Sequence, residues 1–311
     1  MSIPITFRQL EIYSSVARHM SFTKAAEELH LSQPAISMQV KQMENLINSP
    51  LTEKVGKKLF LTEIGRIVLQ YAEKILASKE ALEETLASID GIEKGHLNIA
   101  VPETANQFVT LLLAQFRKLH PGISFNLQIH NRQGLLNCLK NNQSDLVIMG
   151  KTPTDMELIS EPFMNNPLVI IAPPDDNRKP KAIIHMNDLM KEEFVVREKG
   201  SGTRIAMQRF FLAHDIQIKT SMEMPNNEAI KQAVSAGLGL GIVSLHTLQQ
   251  ELALKQVEVL NVKELPIMRI WYIVHQKHKV MTPTMKVFKQ FVLSNAQEIW
   301  VKKYPQLLEH L

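Results

Sequence analysis

The sequence predicts an α+β chain in three successive parts: a small, mainly helical N-terminal module, one long helix, and two α/β lobes. Three observations carry that reading. Residues 6–47 repeat apolar side chains at helical spacing, and short alternating strands follow at 51–61. Residues 62–90 hold one uninterrupted helical pattern. From His96 onward, strand and helix patterns alternate.

At 311 residues the chain exceeds what one core ordinarily fills, so two or three domains are expected. With 45% hydrophobic and 21% charged residues it has the make-up of a soluble globular protein. A net charge of +4 and a pI near 9.0 are compatible with a polyanionic partner and also with scattered solvated surface. The lone cysteine, Cys138, stands among Leu135, Leu136 and Leu139; it excludes an intrachain disulfide and reads as a small buried hydrophobe. The start, MSIPITFRQLEIY, has no basic segment leading into an apolar one, and no apolar run approaches the roughly 20 residues that span a bilayer. A cytoplasmic protein with no membrane partner is expected.

Taken in order, Thr6 is placed to cap a first helix in which Phe7, Leu10, Tyr13, Val16 and Ala17 share a face. Ser21 or Thr23 can cap a second, Lys24 to His30, with Ala25, Ala26 and Leu29 inward, and Ser32 opens a third. Leu51, Val55, Leu59 and Leu61 supply the apolar positions of a hairpin turning at Val55-Gly56, with Lys54, Lys57 and Lys58 at its tip. Thr62 then caps the long helix, and Glu63 sits at its positive end. Along that helix Ile64, Val68, Tyr71, Ile75, Ser78, Leu82, Thr85 and Ile89 alternate four and three residues apart, as in a coiled-coil seam. Its length, on the order of 40 Å, is more than a sixty-residue module covers, which favours a second subunit over its own chain as the partner. Asp90-Gly91 and Lys94-Gly95 end it.

Strand His96–Val101, helix Thr104–Leu119, strand Ile123–His130, helix Arg132–Asn141 and strand Asp145–Met149 make one parallel-sheet unit. After Pro162–Pro174, a second comprises strand Phe194–Arg197, helix Thr203–His214, strand Ser221–Met224, helix Glu228–Ala236 and strand Leu240–Ser244. Strands Leu168–Ala172 and Arg269–His275 take the chain across and back, leaving residues 281–297 as a closing helix on the first lobe. A cleft between two such lobes is a natural small-molecule site.

The most specific local signal is SFTKAAEELHLSQPAISMQVKQMENLI, residues 21–47, where Ala25, Ala26, Leu29, Leu31, Ile36, Val40, Met43 and Leu46 form a core shared by two helices. Gln33, Pro34, Ser37, Met38, Lys41 and Gln42 project the other way from the second helix, where base edges and phosphates of a major groove would meet them. Pro34 is tolerated because first-turn amides lack an intrahelical partner. Ser21, Thr23 and Ser32 at the helix starts complete the expected DNA-contacting set with wing residues Lys54, Lys57 and Lys58, whose ammonium groups suit phosphate.

On these residues the chain resembles the LysR-type transcriptional regulators: SFTKAAEELHLSQPAISMQVKQME is similar to their helix-turn-helix, and KKLFLTEIGRIVL to their wing running into the linker helix. VIMGKTP, REKGSGTR, NNEAIKQAVSAGLGLGIVSLHTL and LPIMRIWYIVHQ resemble the branch that regulates RuBisCO and other carbon-fixation operons. The resemblance implies a winged helix-turn-helix over 1–61, a linker and dimerisation helix over 62–94, and a periplasmic-binding-protein-like effector domain over 95–311. It places lobe I at 95–165 and 269–311 and lobe II at 166–268. It also implies double-stranded DNA, a small anionic metabolite, further copies of the chain as homodimer or homotetramer, and RNA polymerase as partners. Asn48 stands where the family has a glycine, Thr52 where it has a phenylalanine, and Lys54 where it often has arginine.

In the lobes, Gly200-Ser201-Gly202-Thr203-Arg204 joins a strand to a helix, so amides, hydroxyls and a guanidinium could converge on an anion, although the spacing is not that of a P-loop. Thr104, Asn131, Arg132, Lys151 and Asn227 occupy matching positions at helix starts and strand ends. The resemblance makes Ser201, Thr203 and Arg204 with these five the effector-contacting set, Thr104 and Thr203 foremost, and a Calvin-cycle intermediate or reduced nicotinamide nucleotide the expected effector class. Gly237, Gly239 and Gly241 follow a helix instead of a strand and read as a cap and close packing. His275 and His278 lack a third ligand at suitable spacing, and no catalytic constellation stands out, so no metal, cofactor or enzyme activity is expected. A solute-binding protein remains the alternative for the C-terminal part taken alone, and a LysR-type regulator of an unrelated metabolic operon the alternative for the whole chain.

Overall fold

The computed structural model describes residues 4–56, 58–87, 94–174 and 183–310. Contacts group the chain into one unit of residues 1–89 with 279–283 and another of 90–278 with 284–311.

In the first unit, α1 (Phe7–His19) opens with a capping box in which Thr6 and Gln9 bond reciprocally. Helix α2 (Phe22–Leu29) starts two residues earlier than the pattern indicated, because Ser21 is its cap and accepts from the Lys24 amide; Thr23 therefore lies inside the first turn. Ser32 caps α3 (Gln33–Ile47), with Pro34 in the first turn and Asn48 closing it in the left-handed conformation at φ 57°. Ile12, Tyr13, Ile36, Val40, Met43 and Leu51 are buried together beneath the three helices. Strands β1 (Thr52–Val55) and β2 (Lys58–Leu61) pair antiparallel. Helix α4 (Glu63–Ala87) follows directly, with Thr62 Oγ1 accepting from the Gly65 amide. Ile89 and the expected helix end at Asp90-Gly91 lie outside the described residues.

The second unit is built on one continuous sheet. Strands β3 (Gly95–Val101), β4 (Ile123–Ile129) and β5 (Leu146–Met149) run parallel and are crossed over by α5 (Glu103–Leu119) and α6 (Arg132–Lys140). Strands β7 (Glu193–Arg197), β8 (Lys219–Met224) and β9 (Leu240–Ser244) form a second parallel set with α7 (Gly202–Ala213) and α8 (Asn227–Ser235). Between them lie two long antiparallel strands, β6 (Leu158–Ala172) and, beyond α9 (Gln249–Ala253) and β10 (Glu258–Val259), β11 (Ile267–Gln276). The order is β4-β3-β5-β11-β6-β9-β7-β8, so the chain does cross and return, but on one paired ribbon that belongs to both halves. The crossing strand starts at Leu158, ten residues ahead of the expected Leu168.

Helix α10 (Pro283–Lys303) closes over the first half, where Phe288 meets Phe116 and Phe125 edge-on or tilted. Gly237 takes a φ of 80° just past α8, and a Cβ on Gly241 would press on Ile230 and Val234, so the glycines serve capping and helix-strand packing. No helix among the described residues is long and apolar enough to cross a membrane.

Candidate functional site

Helix α3 buries one stripe and exposes another. Ile36, Val40 and Met43 are in the core, whereas Gln33, Pro34, Ser37, Met38, Lys41 and Gln42 are all exposed. Met38 is 54% exposed, so this face has no apolar cover in its own unit. Ser32 and Thr23 are also exposed and Ser21 half-buried. Lys54 and Lys58 are exposed on the hairpin, and Lys57 lies outside the described residues.

Two contacts fix the wing against the helices. Glu44 Oε1 accepts from the backbone amides of Leu51 at 2.9 Å and Thr52 at 3.3 Å, tying the end of α3 to the start of β1. Tyr13 donates its hydroxyl to the Gly65 carbonyl at 2.9 Å, and burial pushes the phenol well above its usual range, with the Glu44 charge adding to it. A Cβ on Gly65 would overlap the Leu51 carbonyl oxygen, so only glycine permits α4 to pass this close. No motif singled out Glu44; its only signal is a carboxylate one turn before a chain reversal.

On α4, Ile64, Ile67, Tyr71, Ile75, Leu82 and Leu86 are exposed along one face. Val68, expected in the seam, packs partly against the unit's own core with Leu69 and Leu76, and Ile67 and Leu86 extend the exposed stripe instead. Helical rotation explains the exchange, since Val68 lies at the edge of the stripe nearest the buried Ala72.

In the second unit a cavity of about 620 Å³ lies at the carboxyl ends of the parallel strands, between the two sets of crossover helices. Thr104, Asn131, Arg132, Ser201 and Thr203 line it. Thr104 and Thr203 are buried, yet among the described residues neither hydroxyl has a hydrogen-bond partner. Ser201 is buried as the cap of α7, and Asn131 caps α6, accepting from the Gly134 amide at 2.9 Å.

The remaining three expected residues are engaged elsewhere. Arg204 donates to the Arg197 carbonyl at 2.8 Å and lies 3.7 Å from Glu223; Asn227 bonds Thr247 through Nδ2 at 2.7 Å. Lys151 is exposed, and it is its carbonyl, 2.7 Å from Arg132 Nη1, that meets the site.

The cavity wall also holds residues that the motifs did not reveal. Arg197, Glu198 and Glu103 form a compensated group: Arg197 pairs with both Glu198 oxygens at 2.7 and 3.0 Å and lies 3.9 Å from Glu103, which accepts from the backbone N–H of Asn227 at 2.9 Å. Arg269, the third residue of β11, is different. Burial, with Arg132 and Arg209 nearby, pulls its guanidinium down to about 10, and no carboxylate among the described residues pairs with it. Trp271, two residues on, lines the cavity and donates Nε1 to His246 Nδ1 at 3.2 Å; burial pushes His246 down to about 3, so it is neutral.

A basic-tipped winged helix-turn-helix followed by a cavity-bearing α/β unit defines a DNA-binding regulator with its own small-molecule sensor. The comparisons with known proteins agree. Residues 7–66 match the family model "Bacterial regulatory helix-turn-helix protein, lysR family", and residues 90–297 match "LysR substrate binding domain". The RuBisCO operon transcriptional regulator of Allochromatium vinosum is 47% identical over 292 residues, 94% of this chain and 97% of that one. The regulatory domain of CcmR from Synechocystis PCC6803, solved in complex with 2-PG, is 36% identical, with a TM-score of 0.62 over 65% of this chain and 99% of that one. A full-length OxyR variant from Pseudomonas aeruginosa, 20% identical, shares the fold with a TM-score of 0.77 over 94% and 97% of the two chains. The chain belongs to the LysR family of transcriptional regulators.

Proposed function

We propose that the chain regulates carbon-fixation genes from the cytoplasm, and that a small phosphorylated anion held in the cavity controls its operator binding and DNA bending. The observation that carries the effector reading is the pair of cavity-lining threonines, Thr104 and Thr203, buried as residues but with hydroxyls that have no protein partner among the described residues, beside an arginine with no carboxylate. A regulatory domain 36% identical to this chain was solved with 2-PG, and the relative 47% identical to it is a RuBisCO operon regulator; both support the choice of ligand and target.

In this reading residues 1–61 bind DNA, 62–94 form the linker and dimerisation segment, and 95–311 sense the effector, with the lobes divided at 165/166 and 268/269. Gln33, Ser37 and Lys41 read the major groove while Pro34, Met38 and Gln42 pack beside it. Ser21, Thr23 and Ser32 approach phosphates from helix starts, as Lys54, Lys57 and Lys58 do from the wing. The stripe of Ile64, Tyr71, Ile75 and Leu82 meets its copy in a homodimer or homotetramer. RNA polymerase is the downstream partner, and no reaction is catalysed.

The test is DNA binding by the full chain, read by anisotropy on promoter fragments of RuBisCO-type operons, with and without 2-phosphoglycolate. The wild type is expected to bind such a fragment and change affinity or bend angle on adding the ligand, with Thr203→Ala binding DNA but responding only at higher ligand concentration. Binding that ignores phosphorylated ligands, or that selects unrelated promoters, overturns the proposal.

A further inference from the structure

The cavity is polarised, and its polarity assigns the seat of the anion. The wall formed by Glu103, Arg197 and Glu198 carries two carboxylates against one guanidinium. Arg269 lines the same cavity but takes no part in that group's ion pairs. Its guanidinium is wedged between two glycines: a Cβ on Gly150, just past β5, would overlap Nη2, and one on Gly202, at the start of α7, would lie 3.4 Å from the same nitrogen. Arg132 reaches the same corner, its Nη1 bonding the carbonyl of Lys151, the neighbour of Gly150. Arg209 stands seven residues after Gly202 on α7 and so shares its helical face two turns on. Arg269 and Arg132 thus share one end of the cavity they line, with the exposed Arg209 near enough for its charge to act on both, and among the described residues no carboxylate pairs with any of the three.

Two like charges held together in a partly buried site, with a third close by, are unfavourable unless an anion compensates them. We infer that Arg269, with Arg132, is the seat of the effector's phosphate, and that Arg209 adds to the field there. The ligand class is a phosphomonoester, whose dianion matches several guanidinium groups, with its remaining polar atoms turned toward Thr104 and Thr203. A monocarboxylate would satisfy one guanidinium at most in the fork geometry that guanidinium groups prefer. The glycine at 150 is part of the device, because its missing side chain is the space through which Arg269 reaches the cavity.

This inference rests on the reading that the cavity holds the effector, and the experiment separates the two. Both tryptophans of the chain, Trp271 and Trp300, lie near the site or against its His246 neighbour, so intrinsic fluorescence of the full-length protein reports binding. 2-Phosphoglycolate and glycolate, which differ by the phosphate, are titrated into wild type, Arg269→Gln, Arg269→Lys and Gly150→Ala. The expectation is that wild type prefers phosphoglycolate strongly, that Arg269→Gln weakens it by about 100-fold while leaving glycolate within a few-fold, and that Arg269→Lys falls between. Gly150→Ala, which keeps every charge but displaces the guanidinium, should also lose the preference. Arg269→Gln and Gly150→Ala proteins that both bind phosphoglycolate as wild type does overturn the assignment of the seat alone. Wild type that binds neither ligand overturns the cavity reading and this inference with it.

Discussion

Glu44 offers the sharpest test of how the DNA-contacting surface is held. One carboxylate oxygen accepts two backbone amides from the start of the wing, at 2.9 Å from Leu51 and 3.3 Å from Thr52, while the other sits 3.4 Å from Lys41 Nζ. Leu51 is fully buried, so its amide has no water to turn to when the acceptor is removed. A hydrogen bond to a charged acceptor contributes about 1.5–3 kcal/mol, the longer one to Thr52 contributes less, and the exposed Lys41 contact adds little. Glu44→Ala is therefore expected to weaken the local structure by about 2–4 kcal/mol, and Glu44→Gln, which keeps one carbonyl acceptor but no charge, by about 1 kcal/mol. Amide hydrogen exchange of the full-length protein reads this directly. Opening that exposes the Leu51 and Thr52 amides should become roughly 30- to 700-fold more frequent in the alanine variant and only several-fold more frequent in the glutamine variant. Equal protection in all three proteins would show that the wing is seated by apolar packing alone, and the argument from Glu44 would be wrong.

Two further outcomes follow from the same structure. Leu82 is 58% exposed on α4, so Leu82→Asp should raise the dissociation constant for self-association by roughly 100-fold or more through a charge placed on each side of a twofold seam, seen as smaller species in sedimentation; an unchanged sedimentation coefficient would mean that the stripe has another partner. His246 is held neutral with its folded-state pKa near 3 against an ordinary value of 6.5. Between those values the unfolded chain binds the extra proton, so this group's contribution to stability is complete above about pH 6.5 and is lost as pH falls toward 3, with a slope of at most about 1.4 kcal/mol per pH unit. His246→Asn, which still offers Trp271 an acceptor, should flatten acid unfolding monitored by tryptophan fluorescence, and an unaltered pH profile would remove His246 as the titrating group.

Much of the N-terminal unit was legible because its determinants are local. Ser21, Ser32 and Thr62 each cap the helix they precede, and the split between the buried Ile36, Val40 and Met43 and the exposed Gln33, Ser37 and Lys41 follows from a period of 3.6. Where the sequence misled, two local rules competed. Ser21 and Thr23 both satisfy the preference for an N-cap, and it is Ser21 whose side chain accepts from the Lys24 amide. The succession of strands and helices along the chain was legible too, but the sheet order was not, and β6 and β11 form a single ribbon serving both halves because their pairing, from Ile267 opposite Leu168 to Gln276 opposite Leu158, joins segments about a hundred residues apart.

The cavity shows where local reasoning stopped and why. Helix starts and strand ends are where loops gather in an α/β fold, and that rule found Thr104, Asn131, Arg132, Ser201 and Thr203. It also gathered Lys151, Arg204 and Asn227, whose chemistry is right but whose side chains are turned to the surface or to other partners. Arg269 broke the rule by sitting inside a strand. Its position was nonetheless marked by parity: Ile267, Trp271 and Ile273 are buried while Met268 and Ile270 are exposed, so alternation puts Arg269 on the inward side. A guanidinium at an inward strand position needs a counter-charge, and within the strand there is none. What the pattern alone could not supply was the counterpart of Gly150 and Gly202, which come from the two flanking sets of elements and make room for the arginine only after the sheet has formed. Because β11 is paired to β5 on one side and to β6 on the other, an anion on Arg269 touches the ribbon shared by both halves and the start of α7 together. Its binding energy is then available to favour one arrangement of the two halves over another, which is the differential affinity that any ligand-driven change in DNA binding requires.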